Sequence, residues 1–260
     1  MKKEIREVKE GVLQITTSDD RWYAIESKNE GTGLPEYRFL PSVSWICGFY
    51  PKGIAFYKWL SEKGWDESQA IKVAAGNKGS RVHKAVEDLT KGQEVKISDK
   101  YTDADGELAE LTVEEYEAIL SFVDWYKETN PTILEIEHTV INEQEGYAGT
   151  IDLICEIEGQ VYIVDLKTSQ SVWAEYELQI SAYKHATEHK DAKLAILQLG
   201  YKRNKKMFKF TEIEDKFETF MAVHKIWQNE TEGQSPSQKD YPLVLSLAKV
   251  EEKPAKKAKI

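Results

Sequence analysis

Two aspartates and one lysine in a single stretch of this sequence have the types and the spacing to do chemistry. Two apolar segments flank the dipeptide Glu158-Gly159. Glycine at the second position of a two-residue loop favours a tight β-hairpin. Folding the strands about this turn places Asp152 opposite Asp165. Lys167 then lies on the same face as Asp165, because side chains alternate along a strand.

A bound cation would explain why two carboxylates stand side by side in otherwise apolar strands. Cross-strand neighbours have Cβ atoms roughly 4.5–5.5 Å apart, and like charges at that distance destabilise a sheet. A cation held between the carboxylates would remove that repulsion. The alternative is structural, because charged residues are common at strand ends and a one-residue bulge would separate the pair. The hairpin alone leaves both interpretations open.

The composition restricts the class of protein. The chain has 260 residues, 41% of them hydrophobic, and two cysteines, Cys47 and Cys155. This is enough to bury a substantial core, and it excludes a disulfide framework or a four-cysteine zinc or iron–sulfur site within one chain. The cysteine usage favours a reducing cytoplasm. We expect no signal peptide and no contact with a membrane, since no apolar run approaches the ~18 residues of a membrane span.

The charge of the chain argues against a uniformly basic surface. The formal net charge is −10, so a non-specific polyanion binder is not expected. A nucleic-acid enzyme is still compatible with this charge, because a metal and a local basic groove can bind phosphates. The basic residues do cluster, which fits either a solvated surface or such a groove. The clusters are Lys72, Lys78, Arg81 and Lys84, then Lys202, Arg203, Lys205, Lys206 and Lys209, and then the Lys-rich C-terminal tail.

The apolar pattern predicts an N-terminal hairpin over 11–27 that turns near Ser18–Asp20, followed by a loop over 28–37. A helix should start at Pro41, because proline suits a first helical position. Aromatic residues are dense between 45 and 65. We expect them mainly in a core, with base stacking as the alternative.

Helices and strands then alternate along the chain. The helix predicted over 67–90 should break near Gly76 and Gly79. His83 and Glu87 share one of its faces, because they are four residues apart. The other predicted elements are a loop over 91–110, a helix from its cap at Thr112 to Glu128, a strand over 133–141, a helix over 174–186, strands over 192–200 and 206–210, a helix over 213–229 and a disordered tail.

A second pair of polar residues follows the hairpin. Gln179 and Tyr183 are also four residues apart on the predicted helix. The apolar residues Leu178, Ile180 and Ala182 lie on a different face of that helix. We therefore expect Gln179 and Tyr183 to stand apart from the apolar side.

Four motifs in this order resemble the PD-(D/E)XK nuclease superfamily, and within it the RecB-type exonuclease group. The motifs are Gly79-x-x-x-His83-x-x-x-Glu87, Gly149-Thr-Ile-Asp152, Val164-Asp165-Leu-Lys167-Thr-Ser and Gln179-x-x-x-Tyr183. Pro41-Ser42-Val43-Ser44 also resembles phage-encoded members and the mitochondrial genome maintenance exonuclease. The iron–sulfur branch of the group needs four cysteines, so this chain departs from that branch. The resemblance implies an α/β, restriction-endonuclease-like core: a central mixed sheet with an antiparallel hairpin that carries the site, flanked by helices.

The resemblance further implies a metal site. Its ligands would be His83, Asp152, Asp165 and the backbone carbonyl of Leu166. Glu87 would either contact one of these ligands without touching the metal or bind a second metal ion. Two carboxylates, an imidazole and a carbonyl suit Mg²⁺ or Mn²⁺, and no thiolate is available for a softer metal.

The resemblance also assigns residues to the reaction and to DNA. Lys167 would position or deprotonate the attacking water. Gln179 and Tyr183 would hold the edge of the site or touch the DNA backbone. Further DNA contacts are expected from Arg81, Lys84, Thr168, Ser169, Lys202 and Arg203.

The sequence favours a metal-dependent DNA exonuclease of phage or bacterial DNA replication, recombination or repair, located in the cytoplasm. Its substrate would be single-stranded DNA or DNA with free ends, and a recombination or replication protein is an expected partner. The alternatives are a non-catalytic DNA-binding or assembly subunit on the same fold, and an endonuclease. We expect three parts: 1–66 packed on the core, the nuclease core over 67–230, and a polar segment over 231–260.

Overall fold

The computed structural model describes residues 4–17, 20–28 and 35–232, together with 236 and 243. The strands are β1 (Glu4–Lys9), β2 (Val12–Thr16), β3 (Arg21–Lys28), β4 (Pro35–Pro41), β5 (Lys100–Thr102), β6 (Leu108–Glu110), β7 (Thr132–Asn142), β8 (Tyr147–Ile157), β9 (Gln160–Lys167), β10 (Lys193–Leu199) and β11 (Phe208–Ile213). The helices are α1 (Val43–Cys47), α2 (Ile54–Lys63), α3 (Trp65–Thr90), α4 (Val113–Thr129), α5 (Ala174–Ala186) and α6 (Phe217–Glu230).

A five-stranded mixed sheet forms the centre of the molecule. Its order is β11-β10-β9-β8-β7, with β9 and β10 parallel and the other neighbours antiparallel. The parallel pair needs a crossover, which α5 supplies. Apolar residues of α3 and α4 pack with one face of the sheet, and those of α1, α5 and α6 pack with the other. The expected α/β fold with flanking helices is confirmed.

A second sheet, with the order β1-β2-β3-β4, precedes the central one. It contains the predicted hairpin as β2 and β3. Ser42, at its end, forms a parallel bridge with Ala148 of β8. Trp22, Trp45 and Trp227 pack edge to face, with ring centroids 4.9–6.1 Å apart, and so join this sheet to α1 and α6. The expected division at 66 and 67 stays a prediction.

Some expected features fall outside the described residues. The predicted turn includes Ser18 and Asp19, and most of the 28–37 loop and of the 231–260 segment is also outside them. Among the residues that the structure describes, no helix is long and apolar enough to cross a membrane.

The first helix begins two residues later than expected. Pro41 is the last residue of β4, and α1 starts at Val43. Ser42 caps this helix, because its hydroxyl accepts a hydrogen bond from the backbone N–H of Trp45 at 3.1 Å. A serine cap satisfies an N–H that would otherwise lack a partner.

The helix α3 is continuous from Trp65 to Thr90, so the break expected near Gly76 and Gly79 is wrong. Glycine in a helix costs about 1 kcal/mol relative to alanine. Burial of Val82 and Val86 against the sheet offsets this cost, since a fully buried valine side chain contributes about 1.5–3 kcal/mol.

Two further expectations are corrected. The segment 91–110 is not only a loop, because it contains the short hairpin of β5 and β6.

The aromatic residues between 45 and 65 do not all lie in a core. The helix α2 has no buried residue, and Tyr57 and Trp65 are 57% and 68% exposed.

Candidate active site

The turn at the tip of the β8–β9 hairpin has the predicted geometry. Glu158 and Gly159 both have positive φ, 51° and 81°, as a type I′ turn requires. The pairing runs from Ile157 opposite Gln160 to Leu153 opposite Val164 and stops there.

Beyond the last β8–β9 pair, the Asp152 side chain, rather than a backbone carbonyl of β8, accepts a hydrogen bond from β9. The carboxylate oxygen Oδ2 of Asp152 accepts a hydrogen bond from the backbone N–H of Leu166 at 2.7 Å. The strand β9 continues to Lys167 in its parallel pairing with β10. The two strands of the hairpin therefore part next to Asp152 and Asp165.

Asp165 is a buried carboxylate that lacks normal hydrogen bonds. It is 1% exposed, and the Nζ atom of Lys167 lies 2.7 Å from its Oδ2. Neither oxygen, however, accepts a hydrogen bond of good geometry from the described residues, so we treat the contact with Lys167 as an ion pair only. Burial raises the pKa of Asp165 to about 6, and Lys167 opposes that rise. A buried oxygen without hydrogen bonds is a suitable ligand for a cation.

His83 reaches both strands from α3. Its Nε2 atom lies 3.0 Å from the carbonyl oxygen of Leu166, and its Nδ1 atom lies 3.4 Å from Oδ1 of Asp152. Burial alone would lower the pKa of His83, but the Asp152 carboxylate raises it to about 9. In turn, burial of Asp152 is outweighed by His83, which keeps the pKa of Asp152 low.

Glu137 of β7 is a site residue that the sequence reading missed. One ligand atom each from His83, Glu137 and Asp152 lie within 4.8 Å of one another. Glu137 has a φ of 47°, a conformation that is uncommon for a non-glycine residue and that often marks a functional site. Burial and the charge of Asp152 raise its pKa to about 7.

The sequence did carry a signal for Glu137. The register of β7 with β8 pairs Ile136 with Leu153 and His138 with Ile151, which places Glu137 across from Asp152. The loop that sets this register is 143–146, because Asn142 pairs with Tyr147; a loop one residue longer, at 142–146, would place Ile136 opposite Asp152 instead.

The residues present fit a divalent cation. Carboxylates from β7, β8 and β9 and the carbonyl of β9 are hard oxygen donors, and His83 adds one nitrogen. This donor set suits Mg²⁺ or Mn²⁺. Burial, and then the negative charge of Asp152, raise the pKa values of Glu137 and Asp165, and a bound cation would offset both effects.

Gln179 and Tyr183 border this group from α5. The Gln179 amide donates a hydrogen bond from Nε2 to the Tyr183 hydroxyl at 2.8 Å. Tyr183 is only 4% exposed and packs in the core, so the expectation that it stands apart from the apolar side is wrong. Its ring lies on Gly149, where an added Cβ would be 2.3 Å from Cε1. The glycine of the second motif therefore makes room for the tyrosine of the fourth.

The N-terminal sheet forms one wall of the cleft above these residues. The hydroxyl of Tyr23 lies 3.0 Å from Oγ1 of Thr150 on β8, and it accepts a hydrogen bond from Gln14 at 2.8 Å. Arg6 donates to Gln14 at 3.0 Å, and Arg21 also lines the cleft. The sequence reading placed no residue of this sheet at the site, because docking between sheets leaves no local pattern.

The helix α3 forms the opposite wall and contributes, besides His83, two more of the expected residues. Lys84 lines the cleft, and its ammonium donates to the carbonyl of Thr102 at 2.8 Å. Glu87 also lines the cleft and pairs with Lys91, but it is not one of the three groups whose ligand atoms converge.

Five other expected DNA contacts are absent from the residues that line the cleft. They are Arg81, Thr168, Ser169, Lys202 and Arg203. The Arg81 side chain is 13% exposed and pairs with Glu115 at 2.6 Å and with Asp103 at 3.2 Å, so its guanidinium is occupied inside the protein.

Two other residues of this group also have partners within the protein. Lys202 pairs with Glu114 at 2.9 Å. The Ser169 hydroxyl donates to the carbonyl of Ser171 at 2.8 Å. Thr168 does not line the cleft either, although its Oγ1 lies 3.9 Å from the point where a Cβ on Gly79 would be.

Residues 56–242 match the family model of the PD-(D/E)XK nuclease superfamily. The match spans more than half of the chain, and the chain belongs to this superfamily. No curated protein matches the sequence with significance.

Two solved structures to which this chain is similar carry the word exonuclease in their descriptions. The alkaline exonuclease LHK-Exo from Laribacter hongkongensis has 10% sequence identity and a TM-score of 0.38, over 74% of this chain and 87% of that one. A protein described as a "Putative exonuclease" from Eubacterium rectale has 17% identity and a TM-score of 0.44, over 80% of this chain and 90% of that one.

Proposed function

We propose that this protein is a DNA exonuclease of the RecB-type group that hydrolyses phosphodiester bonds with Mg²⁺ or Mn²⁺. One observation carries the proposal. Ligand atoms of His83, Glu137 and Asp152 lie within 4.8 Å of one another, beside the ion pair of Asp165 and Lys167. The metal ligands would be these two aspartates, the histidine and the carbonyl of Leu166, with Glu137 added to the set predicted from sequence.

The chemistry of the reaction matches these groups. A bound divalent cation supplies charge neutralisation at the phosphoryl group and lowers the pKa of bound water. Lys167 holds a positive charge beside the carboxylates. Burial would lower its pKa, but Asp165 and Asp152 raise it, so the ammonium stays charged and can stabilise developing negative charge.

Two features support action on DNA ends. The motifs of α3, β8, β9 and α5 are those by which the sequence resembles the exonuclease group. The site also lies in a cleft of about 340 Å³ between the N-terminal sheet and α3, which suits a strand end better than an open duplex. We place the activity in phage or bacterial DNA replication, recombination or repair, with a protein of that process as partner.

Digestion of three end-labelled or stained substrates tests this function: linear single-stranded, linear double-stranded and closed-circular DNA, each with Mg²⁺, Mn²⁺ or EDTA. We expect nucleotides released from linear DNA with either metal, no release in EDTA, and an intact circle. Cleavage of the circle would instead identify an endonuclease. Absence of any metal-dependent hydrolysis would contradict the proposal and favour a non-catalytic DNA-binding subunit.

A further inference from the structure

An apolar groove with a volume of about 920 Å³ lies beside the catalytic cleft. It is formed by the segment from α1 to α2 and by the start of α5. Its walls carry five aromatic side chains, Tyr50, Phe56, Trp59, Trp173 and Tyr176.

The groove is continuous with the cleft. Ser44 and Gln179 line both cavities. The ring of Tyr176 borders the groove and also holds the catalytic ammonium, since the Nζ atom of Lys167 lies 4.7 Å from its centroid. A ligand in the groove would therefore lie one side chain away from the reacting group.

The aromatic residues of the groove are accessible. Trp173 is 56% exposed and Phe56 is 38% exposed. No residue of α2 is buried, so this helix presents its apolar residues without covering them. A contiguous exposed apolar surface of this kind usually marks a binding site.

One lysine lies among the aromatic rings, and it is paired with a carboxylate. The Nζ atom of Lys52 lies 6.0 Å from the ring centroid of Phe56, and Lys52 pairs with Glu175, which also lines the groove. Because these two charges offset each other, the groove offers its ligand mainly aromatic faces. Aromatic side chains on which successive bases stack are a usual part of a site for single-stranded nucleic acid.

We propose that this groove binds the unpaired bases of one DNA strand whose phosphates pass through the cleft. The inference rests on the proposed function and adds a substrate preference to it. Bases in a duplex are stacked on one another and offer no free face, whereas an unpaired strand can stack each base on an aromatic side chain. The groove would therefore favour single-stranded DNA or a single-stranded end, without regard to sequence.

The test measures binding of a fluorescein-labelled 20-mer of thymidylate to the full-length protein in EDTA, where no metal-dependent cleavage occurs. The variants are Trp59→Ala, Trp173→Ala and the double variant. Loss of one stacking interaction corresponds to roughly 5- to 150-fold in Kd. We expect the double variant to bind at least about 10-fold more weakly, and a 20-base-pair blunt duplex to show a smaller change.

Two controls separate stacking from misfolding and from charge. Trp65→Ala removes an indole that is 68% exposed and does not line the groove, and it should bind the oligonucleotide as the unsubstituted protein does. An oligomer with abasic residues keeps the phosphates and lacks the bases. The unsubstituted protein should bind it more weakly than thymidylate, and the double variant should bind both alike.

Equal affinity of the double variant and the unsubstituted protein for thymidylate would overturn the proposal, and the groove would then belong to another occupant, such as a partner protein. The proposal would also be overturned if replacing thymidylate by the abasic oligomer raised Kd by the same factor in the double variant and in the unsubstituted protein. Because binding is measured without catalysis, its outcome is separate from that of the digestion. An inactive protein with tryptophan-dependent binding would contradict the nuclease function but not the groove.

Discussion

The catalytic cleft and the aromatic groove lie next to each other and differ in almost every physical respect. The cleft is polar, and it is built on strands and on the middle of a long helix. The groove is apolar, and it is built on a short exposed helix and a turn. Yet both keep something that a fold without a ligand would avoid. The candidate site holds a buried carboxylate, that of Asp165, which accepts no hydrogen bond of good geometry from the described residues, and the groove exposes aromatic rings.

The difference shows which ligand group each region would serve. Desolvated carboxylates gain most from a cation, and exposed rings gain most from a flat apolar partner. A nucleotide has a phosphate, whose negative charge a bound cation would neutralise, and a flat base, which can stack on an aromatic ring. On this proposal, the cleft would bind the phosphate of a nucleotide and the groove would bind its base.

Removing the catalytic charge should give the largest effect and should act on the cleft alone. We expect Asp165→Asn and Lys167→Met each to lower kcat/KM for linear DNA by at least about 100-fold, because each removes a charge placed at the reacting phosphate. Initial rates of nucleotide release in Mg²⁺ measure this.

The matched controls for these two variants are Asp124→Asn and Lys127→Met, both on the exposed side of α4. They should keep full activity. If Asp165→Asn and Lys167→Met also weakened oligonucleotide binding in EDTA as strongly as the tryptophan variants do, the division between cleft and groove would not hold.

Glu137→Gln should have the next largest effect. Loss of a ligand-sized carboxylate beside Asp152 should weaken Mn²⁺ binding by about 10- to 100-fold, in the range seen when groups that support a metal ligand are removed. Calorimetric titration of Mn²⁺ checks this, and Glu156→Gln, on the exposed part of β8, is the control.

The same variant should stabilise the metal-free protein. The pKa of Glu137 is raised to about 7, so its ionised form opposes folding. This cost is absent below the ordinary carboxylate pKa, grows as pH rises toward 7 and is complete above it. At pH 8 we expect Glu137→Gln to raise the free energy of unfolding by about 1 kcal/mol, after allowance for partial exposure. Equal free energies of unfolding of Glu137→Gln and the unsubstituted protein at pH 8 would show that ionised Glu137 does not destabilise the fold.

Gly149→Ala should give a smaller effect, on packing. The new Cβ would meet the Tyr183 ring at 2.3 Å, and overpacking of this kind costs roughly 1–3 kcal/mol. Thermal and denaturant unfolding measure the loss. The control is Gly76→Ala, which has nothing within 4 Å of its added Cβ and should stabilise α3 by about 0.5–1 kcal/mol. A stable Gly149→Ala protein would mean that Tyr183 can move, and that α5 does not fix the edge of the cleft.

The sequence was most informative where pairing is local. The turn at Glu158-Gly159 determines the register of β8 with β9, and counting from it correctly predicts the pairs from Ile157–Gln160 to Leu153–Val164, which end one step before Asp152 and Asp165. The cap of α4 was also predicted correctly, since Thr112 and Glu115 form a capping box. In both cases the deciding contacts lie within a few residues of one another.

The sequence was least informative where distant parts of the chain dock. Nothing in the local pattern places Arg6 or Arg21 at the site, because their sheet reaches it through contacts with β8. The aromatic residues after Pro51 were assigned mainly to a core, since a stacking surface and a buried stripe use the same residue types. Only the packing of α2, which buries none of them, separates the two.

The distance along the chain between the parts of the site has a consequence for folding. The β8–β9 hairpin joins neighbours, and such local contacts form early. His83 meets Leu166 across 83 residues, and the parallel pairing of β9 with β10 must wait for the α5 crossover. We therefore expect Asp152 and Asp165 to come together before His83 packs against them, so that a partly folded chain has the carboxylates in place without the complete site. Nuclease activity would then begin only when these long-range contacts have closed, and a nascent chain could not cut DNA before β10 has been synthesised.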